Sequence, residues 1–98
     1  MEFTEPNNSG FTVYSKSGCP NCVKIKRSIK EKKYLMNEID CDEYILENKE
    51  MFLNFIREKI GSEYRIFPMI FFDGKFVGGI NETISYMEKL QLSFEETF

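Results

Sequence analysis

The sequence predicts an α/β fold: a four-stranded mixed sheet with helices on both faces, in the order β-α-β-α-β-β-α. Three observations predict it. Short β-branched and aromatic runs alternate with longer stretches whose apolar residues recur at helical spacing. The first two strand-like runs are separated by a helix-length segment, which makes them parallel with a right-handed crossover. The last two, MIFFD and KFVGG, flank Asp73-Gly74, the two-residue turn that best marks an antiparallel hairpin.

The elements follow in order. FTVYS (11–15) is β-branched and aromatic and stops at Lys16-Ser17-Gly18, a strand running into a loop. From Pro20 to about Lys33 the spacing turns helical, with Cys22, Ile25 and Ile29 on one face. Proline suits the first helical position because its missing N–H has no partner there anyway. YLMNEID (34–40) reads as the second strand. A longer helix runs from Asp42 or Glu43 to Ile60, with Ile45, Phe52, Ile56 and Ile60 as its buried stripe and Gly61 as its stop. The hairpin follows. The last helix starts near Asn81, a good cap residue, and carries Ile84, Met87 and Leu90 on one face. The tail QLSFEETF either extends that helix or frays.

Ninety-eight residues, 42% of them hydrophobic and ten of them Phe, suit one domain over 1–98 with one compact core. Residues 1–9 read as an N-terminal extension and 91–98 as a C-terminal tail. A net charge of -3 disfavours nucleic acid and membrane surfaces as main partners. No stretch approaches the roughly 20 apolar residues of a membrane span. The opening MEFTEPNNSG has no basic and no apolar signal region, and three cysteines make no complete disulfide framework. The expected setting is reducing and cytoplasmic.

Cys19 and Cys22 stand three residues apart at the strand-to-helix junction, in KSGCPNC. Such a pair holds a metal, forms a structural disulfide or carries electrons. A structural zinc site takes about four Cys or His ligands. This chain has no His and one further cysteine, Cys41, so zinc fails by ligand count unless two chains share the ion. A structural disulfide closing so small a loop gains the least chain entropy. Electron transfer fits the position. The unpaired N–H groups and positive dipole end of a helix favour a thiolate at Cys19, and Lys16 adds positive charge. Cys22, one turn deeper, is close enough to close a disulfide with Cys19. Cys19 is expected to be exposed and reactive, and Cys22 more buried and second to act.

Lys16-Ser17-Gly18-Cys19-Pro20-Asn21-Cys22, followed by RIFPMIFFDGKFVGG, resembles the glutaredoxin family over roughly residues 11 to 90. The resemblance implies the thioredoxin fold and glutathione-dependent thiol–disulfide exchange, with glutathione as co-substrate and no metal. Cys19 then matches the nucleophile and Cys22 the resolving cysteine. Lys16 matches the lysine that meets a glutathione carboxylate, with Arg57, Lys59 or Arg65 as its companion; Arg65 is taken into the expected site. Pro68 matches a proline preceded by a cis bond. Phe67 matches the residue whose backbone pairs with the glutathione cysteinyl unit, a mode in which main-chain hydrogen bonds accept any extended peptide. Gly78, Gly79, Asn81 and Glu82 match the segment that receives the γ-glutamyl end, where helix N–H groups suit a carboxylate. The implied partners are glutathione and disulfide-bearing proteins, with the chain acting as a monomer.

The sequence departs from that family pattern in four places. Asn21 stands where an aromatic residue is usual. Ile66-Phe67 replaces Thr-Val, and Asn81-Glu82 replaces a hydroxyl residue followed by Asp. The stretch from Gly61 to Pro68 is about two residues longer. These changes bear on glutathione affinity and rate rather than on the chemistry. Three rivals differ in class: a thioredoxin-like reductase served by a flavoprotein, a glutathione-bridged iron–sulfur carrier, and a binding module that kept the fold. Pro20 opposes the carrier, since cluster-holding members of the family usually have glycine there. The lysines on the first helix (Lys24, Lys26, Lys30, Lys32, Lys33) read as a solvated face, and Cys41 as an incidental thiol.

Overall fold

A computed structural model describes residues 2–96, with side chains to residue 92. The elements are β1 (Phe11–Ser15), α1 (Pro20–Glu31), β2 (Met36–Asp40), α2 (Asp42–Ile60), β3 (Met69–Phe72), β4 (Lys75–Gly78) and α3 (Ile80–Glu96). This is the order that the sequence predicts. The four strands form one sheet ordered β2-β1-β3-β4. β1 runs parallel to β2, with Phe11 opposite Met36 and Ser15 opposite Asp40. It runs antiparallel to β3, with Tyr14 opposite Met69. β3 and β4 form the hairpin, with an irregularity between Ile70 and Phe71.

All five residues of β1 are buried, because the strand is central and helices cover both its faces. The period-two alternation of a strand then divides the core. Phe11 and Val13 join Ile25, Ile29, Ile70 and Met87 on the side of α1 and α3. Tyr14 joins Ile39, Cys41, Phe52, Leu53, Ile56, Met69 and Phe71 on the side of α2. Each large side chain so buried contributes roughly 1.5–3 kcal/mol.

The boundaries show where local signals fall short. α1 ends at Glu31, before the expected Lys33, and Lys33 itself turns left-handed at φ 63°. β2 accordingly begins at Met36 rather than Tyr34. α2 starts where expected, its Asp42 N–H donating to Asp40 Oδ1 at 3.0 Å. It ends at Gly61, whose φ of 90° is left-handed and whose N–H donates to Arg57 O at 2.8 Å. Inside α2, however, Asn48 is not helical (φ −147°, ψ 52°), a break that the apolar stripe does not signal.

Two expectations for the last helix are corrected. Asn81 is not the cap; Gly79 is. The carbonyl of Gly79 accepts the first helical bond, from Thr83 N–H at 3.0 Å. Glu82 Oε1 reaches back to the Gly79 N–H at 2.8 Å, the acidic half of a capping box. The buried stripe is Ile80, Thr83, Met87 and Leu90, and Ile84, to one side of it, is 38% exposed. The tail extends α3 as far as Glu96; residues 97–98 lie outside those described. No helix among the described residues is long and apolar enough to cross a membrane.

Candidate active site

Cys19 and Cys22 form a disulfide at the N-terminus of α1, with Cα atoms 5.3 Å apart. Cys19 is the cap residue and Pro20 follows at the first helical position. The Cys22 N–H donates to Cys19 Sγ at 3.1 Å, and Cys22 and Val23 also donate to the Cys19 carbonyl. The sulfur of Cys19 therefore sits where the first turn of the helix presents its free amides, a position that stabilises negative charge. Cys22 is 1% exposed and Cys19 is half-buried, the order of access expected for a first and a second thiol.

The loop before Cys19 is held from α2. Asp42, at the start of that helix, accepts the Ser17 N–H at 2.8 Å and also the Ser17 hydroxyl. The Ser17 hydroxyl, then its amide, then the charge of Lys16 hold the Asp42 carboxyl below its usual range.

The peptide bond between Phe67 and Pro68 is cis. Phe67 stacks on Phe52, with ring centroids 6.3 Å apart and planes 12° from parallel. The Lys16 ammonium lies 5.9 Å from the Phe67 ring centroid. Phe67 and Ile66 form a ridge between two grooves. One groove, of about 490 Å³, collects Asn21, Phe67, Pro68, Gly78, Gly79, Asn81 and Glu82. The other, of about 410 Å³, collects Lys16, Arg65 and Phe67 together with Lys49 and Phe52. A smaller cleft beside the disulfide is lined by Lys16, Cys19 and Cys22.

Lys16 thus shares one cleft with Cys19 and Cys22 and one groove with Arg65 and Phe67, while Asn21, Phe67, Pro68, Gly79, Asn81 and Glu82 line the other groove. Among the three candidate companions of Lys16, only Arg65 lines its groove. Arg65 also holds Glu63 at 3.1 Å and Glu50 at 3.4 Å, which raise its pKa. Arg57 is turned to Glu63 at 4.0 Å, and Lys59 pairs with Glu5. The Gly79 amide is already occupied by Glu82, so an incoming carboxylate would meet the amides of Ile80, Asn81 and Glu82 instead.

Two residues were missed. Lys49 faces the basic groove; it falls four residues after Ile45 and four before Leu53, both of which line that groove, and this spacing was the available signal. Tyr64 lines the other groove, packs edge-on against Phe76 at 4.9 Å, and has its hydroxyl against Gly79. Burial, then the charge of Glu82, raises its pKa. Nothing in the sequence marked Tyr64, because the segment 61–68 has no periodicity. Among the described residues no three His, Cys, Asp or Glu side chains gather as a metal site.

A C-P-x-C disulfide at a helix N-terminus, beside a cis-proline on a β2-β1-β3-β4 sheet, defines a thioredoxin-fold protein with a redox-active cysteine pair. The Glutaredoxin family model matches residues 11–77, and the chain belongs to the glutaredoxin family. Glutaredoxin 1 of Rickettsia conorii is 36% identical over 67 residues, 68% of this chain and 61% of that protein. Glutaredoxin 1 of Rickettsia felis is 34% identical over 67 residues, again 68% of this chain and 61% of the relative. The match thus spans about three-fifths of the length of these relatives. Among solved structures, glutaredoxin 1 of Francisella tularensis complexed with cacodylate superposes with a TM-score of 0.72 at 25% identity, covering 83% of this chain and 94% of that one. A buckwheat glutaredoxin–glutathione complex gives a TM-score of 0.69 at 22% identity, covering 88% and 76%; at that identity it speaks for the fold.

Proposed function

We propose that the chain is a glutathione-dependent thiol–disulfide oxidoreductase that reduces glutathione mixed disulfides and protein disulfides through Cys19 and Cys22. The observation that carries this reading is the Cys19–Cys22 disulfide, with the more accessible sulfur accepting the Cys22 N–H and a peptide-sized groove on either side of Phe67. In the reduced protein, the Cys19 thiolate attacks one sulfur of a mixed disulfide. A Cys19–substrate disulfide forms and the other partner leaves as a thiolate, which takes up a proton. A second thiolate, from glutathione or from Cys22, then attacks the Cys19 sulfur and releases the bound partner. The Cys22 route leaves the intramolecular disulfide, which two glutathione molecules reduce while becoming glutathione disulfide.

Glutathione suits the two grooves. Its glycyl carboxylate goes to Lys16 and Arg65, with Lys49 beside them. Its cysteinyl backbone pairs with Phe67, next to Pro68. Its γ-glutamyl carboxylate goes to the amides at the start of α3, near Gly79, Asn81 and Glu82, with Asn21 as the wall nearest the sulfur. The glutathione bound in the buckwheat relative supports this choice of ligand. Action as a single-domain monomer in the reducing cytoplasm, with glutathione and disulfide-bearing proteins as partners, completes the reading; the buried free thiol of Cys41 fits such a setting.

The test measures reduction of a glutathione mixed disulfide and of a protein disulfide by wild type, Cys19→Ser and Cys22→Ser, supplying glutathione or a flavoprotein reductase as the electron source. Cys19→Ser is expected to lose both activities. Cys22→Ser is expected to keep the first and lose the second. Turnover with the flavoprotein system alone, or retention of activity in Cys19→Ser, overturns the proposal.

A further inference from the structure

We propose that Phe3, at the centre of a strap formed by residues 2–5, is a positioning residue that holds the two walls of the Cys19 site at their working distance. The inference rests on the function proposed above for what the grooves bind. Its structural half stands on the strap itself.

The strap crosses α2 and touches it on both sides of the break at Asn48. The Phe3 ring lies 4.9 Å from Tyr44, before the break, and 5.5 Å from Phe52 and 5.4 Å from Phe55, after it. The Thr4 N–H donates to Tyr44 Oη at 3.2 Å, and the Tyr14 hydroxyl donates to Thr4 O at 2.6 Å. Glu5 pairs with Lys59 near the far end of the helix. The helix departs from helical geometry at Asn48, and across that break its halves meet through the Tyr44 and Phe52 rings, 5.4 Å apart; Phe3 packs on both rings and so fixes that contact from outside the helix.

Each half carries one wall of the site. The first half carries Asp42, which holds Ser17 in the loop leading to Cys19. The second carries Phe52, fully buried, on whose ring Phe67 stacks. Phe67 in turn borders both grooves and lies against Lys16. A shift between the halves of α2 therefore changes the separation of the Lys16–Cys19 loop from the Phe67 ridge, without touching either cysteine. A strap that merely covered the core would alter the melting temperature and leave substrate capture alone.

The experiment compares wild type, Phe3→Ala, Phe3→Tyr and Tyr44→Phe in the full chain. Three quantities are read: KM and kcat for a glutathione mixed disulfide; the rate of reaction with dithiodipyridine, a small uncharged disulfide that needs no groove; and amide hydrogen exchange at Ser17. Phe3→Ala is expected to raise KM about five-fold with kcat and the dithiodipyridine rate little changed, as for a remote loss of positioning. Exchange at Ser17, whose N–H is held by Asp42, is expected to rise about ten-fold in the same variant. Phe3→Tyr restores both. Tyr44→Phe, which removes only the hydroxyl that holds Thr4, moves both in the same direction by less and reads the effect should Phe3→Ala fail to fold. Wild-type KM and wild-type exchange in Phe3→Ala overturn the proposal. So does an equal fall in all rates with a lowered Tm. If wild type does not turn over the mixed disulfide, the functional reading fails, and exchange at Ser17 still decides the positioning role.

Discussion

Cys41 differs from the two active-site cysteines in its surroundings rather than in its chemistry. It is fully buried at the head of α2. Burial first, and then the carboxylates of Asp40 and Asp42, push its thiol up from 9.0 to about 12. A thiol with a raised pKa keeps its proton in the folded state and loses it more readily when unfolded. Its contribution to stability is therefore fully present below about pH 9 and is lost as pH rises toward 12, with a slope of at most about 1.4 kcal/mol per pH unit. Tyr14, raised by burial in the same cluster, adds to the alkaline loss. Iodoacetamide at mildly acidic to neutral pH is expected to label reduced Cys19 first and Cys41 only on unfolding. Cys41→Ala is expected to shallow the fall of stability above pH 9, as read by urea titrations across that range. Rapid labelling of Cys41 in the folded protein would contradict the argument.

At the scale of elements, the junctions around α3 and α2 carry the site. Gly78 adopts a φ of 139°, and a Cβ there would lie 2.7 Å from Glu82 Cβ. Gly78→Ala forces both a strained backbone and displacement of the side chain that caps Gly79. The expected cost is roughly 1–3 kcal/mol for the backbone conformation alone, measured by thermal or urea unfolding. A stability unchanged from wild type would show that the β4–α3 junction relaxes freely. Asp42 makes the equivalent junction for α2. Its carboxyl is held below the usual 3.8, so its grip on Ser17 is present above that value and is lost as pH falls through the lower folded-state value. Protection of the Ser17 amide, taken relative to its intrinsic exchange rate at each pH, should fall on acidification below about pH 4, and Asp42→Ala should show the reduced protection already at neutral pH.

For the whole molecule, a net charge of -3 conceals a local asymmetry. Lys16, Lys49 and Arg65 converge on one groove although they are far apart in the chain. Glutathione carries two carboxylates and one ammonium, so under the proposed function this face would attract it against the sign of the overall charge. Exposed contacts of this kind contribute roughly 0.2–1 kcal/mol each and weaken with salt. Lys16→Ala and Lys49→Ala are each expected to raise KM for a glutathione mixed disulfide several-fold at low ionic strength. The difference from wild type should shrink near molar salt, while kcat stays within a factor of about two. Identical KM values at low salt would remove the residue concerned from the carboxylate clamp.

The order of elements, the parallel first pair, the Asp73-Gly74 hairpin and the Cys19–Cys22 junction were all legible in the chain. The elements depend on contacts within a few residues (period-two and period-3.6 burial, proline at a first helical turn, glycine at a left-handed stop), and the parallel pair follows from the helix-length connection between its strands. The likeness of KSGCPNC and RIFPMIFFDGKFVGG to one family supplied the rest of the expected site. What only the tertiary structure decided involves partners distant in sequence. Gly79 rather than Asn81 caps α3, because Glu82 folds back onto it and the glycine packs beneath the Tyr64 hydroxyl. Ile84 lies outside the core because α3 docks through Ile80, Thr83, Met87 and Leu90, with Thr83 in the place that apolar spacing gave to Ile84. Lys49 joins Lys16 and Arg65 in one groove, and Arg57 and Lys59 do not, because the groove forms only where α2 meets the loop that carries Arg65, Ile66 and Phe67. The strap of residues 2–5 reads as a polar extension in one dimension, since a single Phe3 has no periodicity. It becomes an anchor only when α2 offers Tyr44, Phe52 and Phe55 to it.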